Sequence, residues 1–127
     1  MSNDNRIRIK RYRTASGLPI LAGQSDISND ELTFRVAKQN DLWFHIHGFP
    51  GSHVVLVCGE GEPSKADIEE AAGIAVYHSK MRDGGAVDVS YCFARDVHKP
   101  AGAKDGSVNI KNEKRVKVKA LVLTPEE

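Results

Sequence analysis

The sequence predicts an α+β domain, a largely antiparallel β-sheet with two helices packed on it. Three observations lead there. Short β-rich runs are joined by turns tight enough for hairpins, two stretches combine a helix cap with helical spacing, and no internal repeat or low-complexity tract interrupts them. A chain of 127 residues has room for one hydrophobic core, so residues 1–127 read as a single domain, with residues 1–5 expected to be disordered.

The elements follow in order. Residues 6–14 alternate, with Ile7 and Ile9 on one side and Arg6, Arg8 and Lys10 on the other, the period of a half-buried strand. Ser16-Gly17 turns the chain into a second strand over 18–22. Asn29 is expected to cap a short helix over 30–38, with Asp30 and Glu31 in its first turn and Leu32 and Val36 one turn apart. Leu42–Ile46 and residues 53–58 are β-rich runs separated by Gly48-Phe49-Pro50-Gly51, which predicts an antiparallel pair. Ser64, with Asp67 three residues on, opens the clearest helix, over 65–81, whose small stripe of Ile68, Ala72, Ala75, Val76 and Ser79 suits close packing on a sheet. Gly84-Gly85 ends it. Val87–Phe93 reads as a strand, 99–106 as a polar loop, and residues 108–110 and 115–123 as a hairpin around Asn112-Glu113. The predicted order is β-β-α-β-β-α-β-β-β.

Composition narrows the function classes. Apolar residues at 40% and charged residues at 28% are a globular balance, so the chain is expected to fold without a partner. Cys58 and Cys92 both lie in apolar runs, as buried reduced thiols do, which favours the cytoplasm. No apolar run approaches a membrane span and the N-terminus has no signal core, so no membrane is expected. With 18 basic and 17 acidic residues the net charge says nothing of partners, but its distribution does. Arg6, Arg8, Lys10, Arg11 and Arg13 crowd the start, Lys111 to Lys119 the end, and Glu60, Glu62, Asp67, Glu69 and Glu70 the middle, which predicts one basic and one acidic face.

The chemistry-bearing residues concentrate in 41–57. His45 and His47 share a face of a strand and His53 lies nearby, a spacing that can hold a metal; Asp41 is the only neighbouring carboxylate, and stacking on a base or donating to a phosphate suits these histidines better. Ser52-His53 with Asp41 suggests a hydrolytic triad, against which stand their opposite strand directions and the absence of a nucleophile turn. Of the adjacent Trp43 and Phe44 one is expected in the core and the other exposed, as a helix-edge cover or as a platform for an unpaired base. Gly51-Ser52 offers backbone N–H groups and a hydroxyl to an anion. Arg115, Lys117 and Lys119 alternate with apolar residues in a cationic stripe, which is either a solvated face or, with Arg6, Arg8, Lys10 and the loop lysines, a set of phosphate contacts. No catalytic residue, cofactor or metal is assigned.

These residues resemble a family. D-L-W-F-H at 41–45 followed by P-G-S-H-V at 50–54 is similar to the signature of NFACT-R, the RNA-binding domain of the NFACT proteins of ribosome-associated quality control. The similarity runs through Arg11, Tyr12, Arg13, Thr14 and Gly17, N-D-E-L-T at 29–33, the helix at 70–80, V-D-V-S-Y at 87–91 and the loop V-x-K-P-x-G-A-K-x-G at 97–106. It implies a non-enzymatic α+β domain, in a free-standing single-domain form, that contacts structured RNA, tRNA or ribosomal RNA. It also allows docking on the ribosome or on a tRNA-modifying enzyme, since such domains occur fused to those enzymes. Trp43, His45, Gly51, Ser52 and His53 then carry the motif, and Lys99 and Lys104 its basic loop, whereas His47 departs from the pattern. Gln24, Ser25, Ala101 and Asp105 also depart from it, which implies weaker RNA affinity or a changed target. The N-terminal domain, helix-hairpin-helix segment and coiled coil of full-length NFACT proteins have no counterpart in the sequence, so tail synthesis on stalled ribosomes is not expected of this chain alone.

Overall fold

Alternation at the start of the chain builds the first hairpin in a computed structural model that describes residues 6–126; the expectation for residues 1–5 lies outside them. β1 (Ile9–Arg13) pairs antiparallel with β2 (Pro19–Gly23). Buried Thr14 anchors the turn, its hydroxyl accepting from Leu18 N at 3.1 Å. β3 (Leu42–Ile46) and β4 (Val54–Leu56) form the next pair, β5 (Val87–Phe93) joins β3, and β8 (Lys114–Val118) joins β5. The result is a six-stranded antiparallel sheet in the order β1-β2-β4-β3-β5-β8.

Both faces of this sheet are covered. On one, Tyr12, Ile20, Phe44, Leu56 and Val89 pack against the alanine-rich side of α2 (Lys65–Tyr77). On the other, Leu21, Trp43, Val55 and Cys92 pack against Leu32 and Val97. That second layer holds α1 (Asp26–Glu31), a π-helical turn (Leu32–Val36), and a two-stranded sheet of β6 (Val97–His98) and β7 (Asn109–Ile110). The α+β architecture read from the sequence is therefore the observed one.

Four local expectations are corrected. The first helix starts at Asp26, capped by Ser25, whose Oγ accepts from Ser28 N at 3.1 Å. Asn29, expected to be the cap, lies buried within the helix because its Oδ1 accepts from His53 N at 3.0 Å, a tertiary bond that local pattern does not reveal. α2 stops at Tyr77 and not Met81, since the His78 carbonyl accepts from Ser52 N (3.2 Å) and Ser79 bridges to Gly51. The C-terminal hairpin does not form. β7 pairs with β6 and β8 with β5, because Val116 and Val118 gain burial against α2 only at that edge. Finally, both Trp43 and Phe44 are buried (2% and 0% exposed), so neither ring is an open platform; a sheet covered on both faces leaves no solvent side at β3. The exposed rings are Phe34, Phe49 and Phe93.

Ser64 caps α2 as read, in a reciprocal box with Asp67. The Ser16 hydroxyl and the Ser64 backbone hold the Asp67 carboxyl down to about 2. Beyond β8 the chain leaves the sheet and crosses the outside of α2. Leu121 N donates to Gly73 O at 3.0 Å, and Glu126 reaches β1, where its N–H donates to Arg11 O and its carboxylate pairs with Arg13 at 2.7 Å. Gly73 makes the crossing possible, because a Cβ there would stand 2.7 Å from Leu121 Cβ and 3.2 Å from Lys119 O. Gly73→Ala is expected to lose about 1–3 kcal/mol despite the helix preference of alanine, and an unchanged denaturation midpoint would contradict this crossing.

Candidate nucleic-acid interface

The signature strand-turn-strand is held from beneath by one directed chain of hydrogen bonds. Trp43 Nε1 donates to Thr33 Oγ1 (3.1 Å), Thr33 Oγ1 lies 2.8 Å from His53 Nδ1, and His53 Nε2 lies 3.1 Å from Gly106 O. A carbonyl only accepts, so Nε2 carries the ring proton, Nδ1 is the acceptor, and Thr33 donates to it. Burial first, then His45 nearby, pushes His53 down to about 4. His53 is thus a neutral, buried tie between three segments. With both ring nitrogens engaged it serves neither as a base for Ser52 nor as a metal ligand. Asp41 is no orienting acid either, since its carboxylate accepts from Lys38 N (2.9 Å) and Cys58 N (3.1 Å). Burial likewise pushes the Cys92 thiol up to about 12, against nucleophilic use.

His45 stacks on Trp43, with ring centroids 6.0 Å apart and planes 8° apart, and its Nδ1 donates to Ile46 O at 2.6 Å. Burial lowers its pKa. Among the described residues no group of three His, Cys, Asp or Glu side chains is placed to hold a metal ion. The backbone anion site expected at Gly51-Ser52 is closed, because Ser52 N is bonded to His78 O and Gly51 is pressed between Ile46 and Ser79.

Above this floor opens a cavity of about 320 Å³. Its walls include His45, His47, Ser90, Glu113 and the apolar Val108 and Ile110. Ser90 Oγ donates to Glu113 Oε2 at 2.5 Å, which leaves it to accept from His47 Nδ1 at 3.2 Å. The Ser90 hydroxyl and then Arg115, whose Nε donates to the same oxygen at 2.9 Å, hold Glu113 below the usual carboxylate range. A larger groove of about 660 Å³ lies beside Phe93, but it carries both signs of charge, in Glu60, Glu62, Arg95 and Lys114, and its only signature residue is Leu42.

The basic loop folds back on the π-turn side. Lys99 Nζ pairs with Asp30 at 3.0 Å and donates to Lys104 O and Ser107 O, while Gly106 N donates to Asp30 Oδ1 at 2.9 Å. Lys99 is therefore an internal staple, and the Lys104 ammonium has no hydrogen bond or ion pair among the described residues. Ser25, Lys104 and Asp105 line one shallow depression, so departures from the family pattern that are 80 residues apart meet there.

The two basic ends do not share a face. β1 and β8 are opposite edges of the sheet, roughly 24 Å apart over five strand spacings. Lys10 points to the α2 side with Tyr12, whereas Arg115 and Lys117 point to the other, opposite Ser90 and Asp88. Lys119 lies past the strand, where its carbonyl approaches Gly73. Arg6 and Arg8 lead into β1, and Arg8 N donates to Ser28 Oγ at 2.7 Å. Arg115 adjoins the signature cavity through its wall residues Glu113 and Ser90, and Lys117 follows it on the same face of β8. Sequence reasoning missed Thr33, Ser90 and Glu113; Ser90 was findable as a polar residue within the apolar run 87–93, whereas Glu113 had no local signal.

Comparison with known proteins agrees with this geometry. The family described as NFACT protein RNA binding domain matches residues 8–112. The chain is 44% identical over 108 residues to the Rqc2 homolog RqcH of Bacillus subtilis (strain 168), covering 85% of this chain and 19% of that protein. It is 41% identical over 110 residues to RqcH of Streptococcus suis (strain 05ZYH33), covering 86% and 20%. It thus spans about one fifth of the length of these relatives. The solved C-terminal part of the fibronectin/fibrinogen-binding protein from Streptococcus suis superimposes with a TM-score of 0.86 at 37% identity, covering 95% of this chain and 49% of that one. With the signature strands, the loop and the fold all accounted for, the chain belongs to the NFACT RNA-binding domain family.

Proposed function

We propose that the domain binds tRNA or ribosomal RNA without catalysing a reaction, and serves ribosome-associated quality control. The observation that carries this is the placement of Arg115 and Lys117 on the exposed edge strand beside the cavity of the signature strand. Cations there hold phosphate while the cavity meets the bases. Lys104 extends the surface, and Trp43 and His53 support it from below. Phosphate contacts release counterions, so log affinity falls with log salt by about 0.7 per contact on single strands. In a tRNA titration, Arg115→Glu/Lys117→Glu is expected to weaken binding and flatten that slope by about 1.4. Affinity indifferent to salt, or equal in parent and variant, would sink the proposal. Docking on a tRNA-modifying enzyme or a ribosomal factor through the acidic 60–70 segment is the second reading. It has less to work with, since Asp67 is engaged by Ser16 and Ser64, and Glu70 by Ala15 N.

A further inference from the structure

The cavity beside the signature strand contains a feature that phosphate binding does not explain, an acidic side chain at its wall. A carboxylate repels phosphate, yet Glu113 is fixed there through Ser90 and Arg115, both of which donate to Oε2. Oε1 has no partner among the described residues. An ionised carboxylate only accepts hydrogen bonds. His47 stands at the same wall, its Nδ1 3.2 Å from Ser90 Oγ and 3.6 Å from Glu113 Oε2. Val108 and Ile110 offer apolar surface to a flat ligand, and about 320 Å³ is near the low end of ligand-pocket volumes of roughly 300–1,000 Å³.

We infer that this cavity takes one unpaired RNA base by an edge presenting two adjacent N–H donors, which among the four bases is guanine. Guanine offers N1–H beside its N2 amino group. Adenine and cytosine place an acceptor next to their amino group, and uracil flanks its single N–H with two carbonyls, so each turns an acceptor toward the Glu113 carboxylate, which only accepts. The neighbouring Arg115 and Lys117 then hold the flanking phosphates. The inference rests on the RNA-binding proposal and sharpens it to a base preference.

The test uses fluorescence anisotropy on short oligouridylates, all-U or with a single central G, A or C. The G-containing strand is expected to bind about tenfold more tightly than the others, the size of one good base contact. Glu113→Gln should bring the four within about twofold. If Glu113→Gln lowers the melting temperature, Glu113→Asp replaces it, retracting the carboxylate at constant charge with the same loss of preference expected. Equal affinity for all four strands in the parent protein, or a G preference that survives both variants, overturns this inference and leaves RNA binding standing. Absence of salt-dependent binding to any strand and to tRNA overturns both.

Discussion

Lowering the pH from about 7 to about 4 is expected to remove on the order of 3 kcal/mol of stability through His53 alone. In the folded chain its burial holds the ring down to about 4, against about 6.5 in an unfolded chain. Between those values the unfolded chain binds a proton that the folded chain refuses. The folded pKa is the lower one, so stability is complete above about 6.5 and declines as pH falls toward 4. The structural cost is specific. A second proton on the ring must go to Nδ1, where Thr33 already donates, and Thr33 cannot turn that hydrogen away without disturbing its bond from Trp43. His45 and His78, both lowered chiefly by burial, act in the same direction. Asp67 and Glu113, held below the usual carboxylate range, add their own losses only at still lower pH. Denaturant midpoints measured across this range should fall steeply in the parent and far less in His53→Gln. Equal slopes in the two would show that the ring is not the proton-sensitive group.

Gly23→Ala is expected to cost about 3–5 kcal/mol, a large share of the roughly 5–15 kcal/mol that holds a domain folded. A Cβ at Gly23 would lie 2.2 Å from Asn29 Oδ1 and 3.0 Å from the Asn29 Cα and N. The severe clash is with the side-chain oxygen, which is held in place by His53 N, and the helix backbone behind it is already at the limit of close contact. Pushing Asn29 away also strips His53 N of its acceptor in a buried position, while Gly23 N itself donates to His53 O at 3.0 Å. Three elements therefore meet at one glycine that is not in a left-handed conformation, so its role is space and not backbone freedom. Thermal melting of Gly23→Ala reads the loss directly, and a melting point within a degree or two of the parent would refute it. Gly23→Ala should also loosen the 99–107 loop, because Asp30 follows Asn29 in the chain and anchors both Lys99 and Gly106.

Local pattern was sufficient wherever local physics decides. The alternation in β1, the Gly-Phe-Pro-Gly turn and the Ser64 to Asp67 capping box each act within a few residues, and each was legible in the sequence. The cap of α1 was not, because Ser25 and Asn29 are both good caps and the choice was made by a bond from Asn29 to His53, 24 residues away. The same holds for the C-terminal strands. Asn112-Glu113 is fair hairpin chemistry, yet Asn112 takes a left-handed turn (φ 54°) that sends β8 to β5, where its valines meet α2. Of the site, the signature residues were visible and their roles were not. Trp43 and His53 support from below, Lys99 staples its own loop, and Glu113 entered the cavity from a turn that looked like a connector.

The crossing of α2 by the C-terminal segment also bears on how the fold assembles. Arg13 and Glu126 are separated by 113 residues, so their pairing closes nearly the whole described chain into one loop. Loop-closure entropy must be overcome before such a contact returns anything, whereas the β1-β2 and β3-β4 hairpins close over a handful of residues. Nor can the segment dock before the sheet and helix beneath it exist, since its seat is Gly73 on one side and the β1 edge on the other. It is therefore expected to settle last in folding and to lift first in unfolding. When it lifts, the otherwise unpaired backbone of β1 is bared, and the arginines along that strand are then what keeps two such edges from joining.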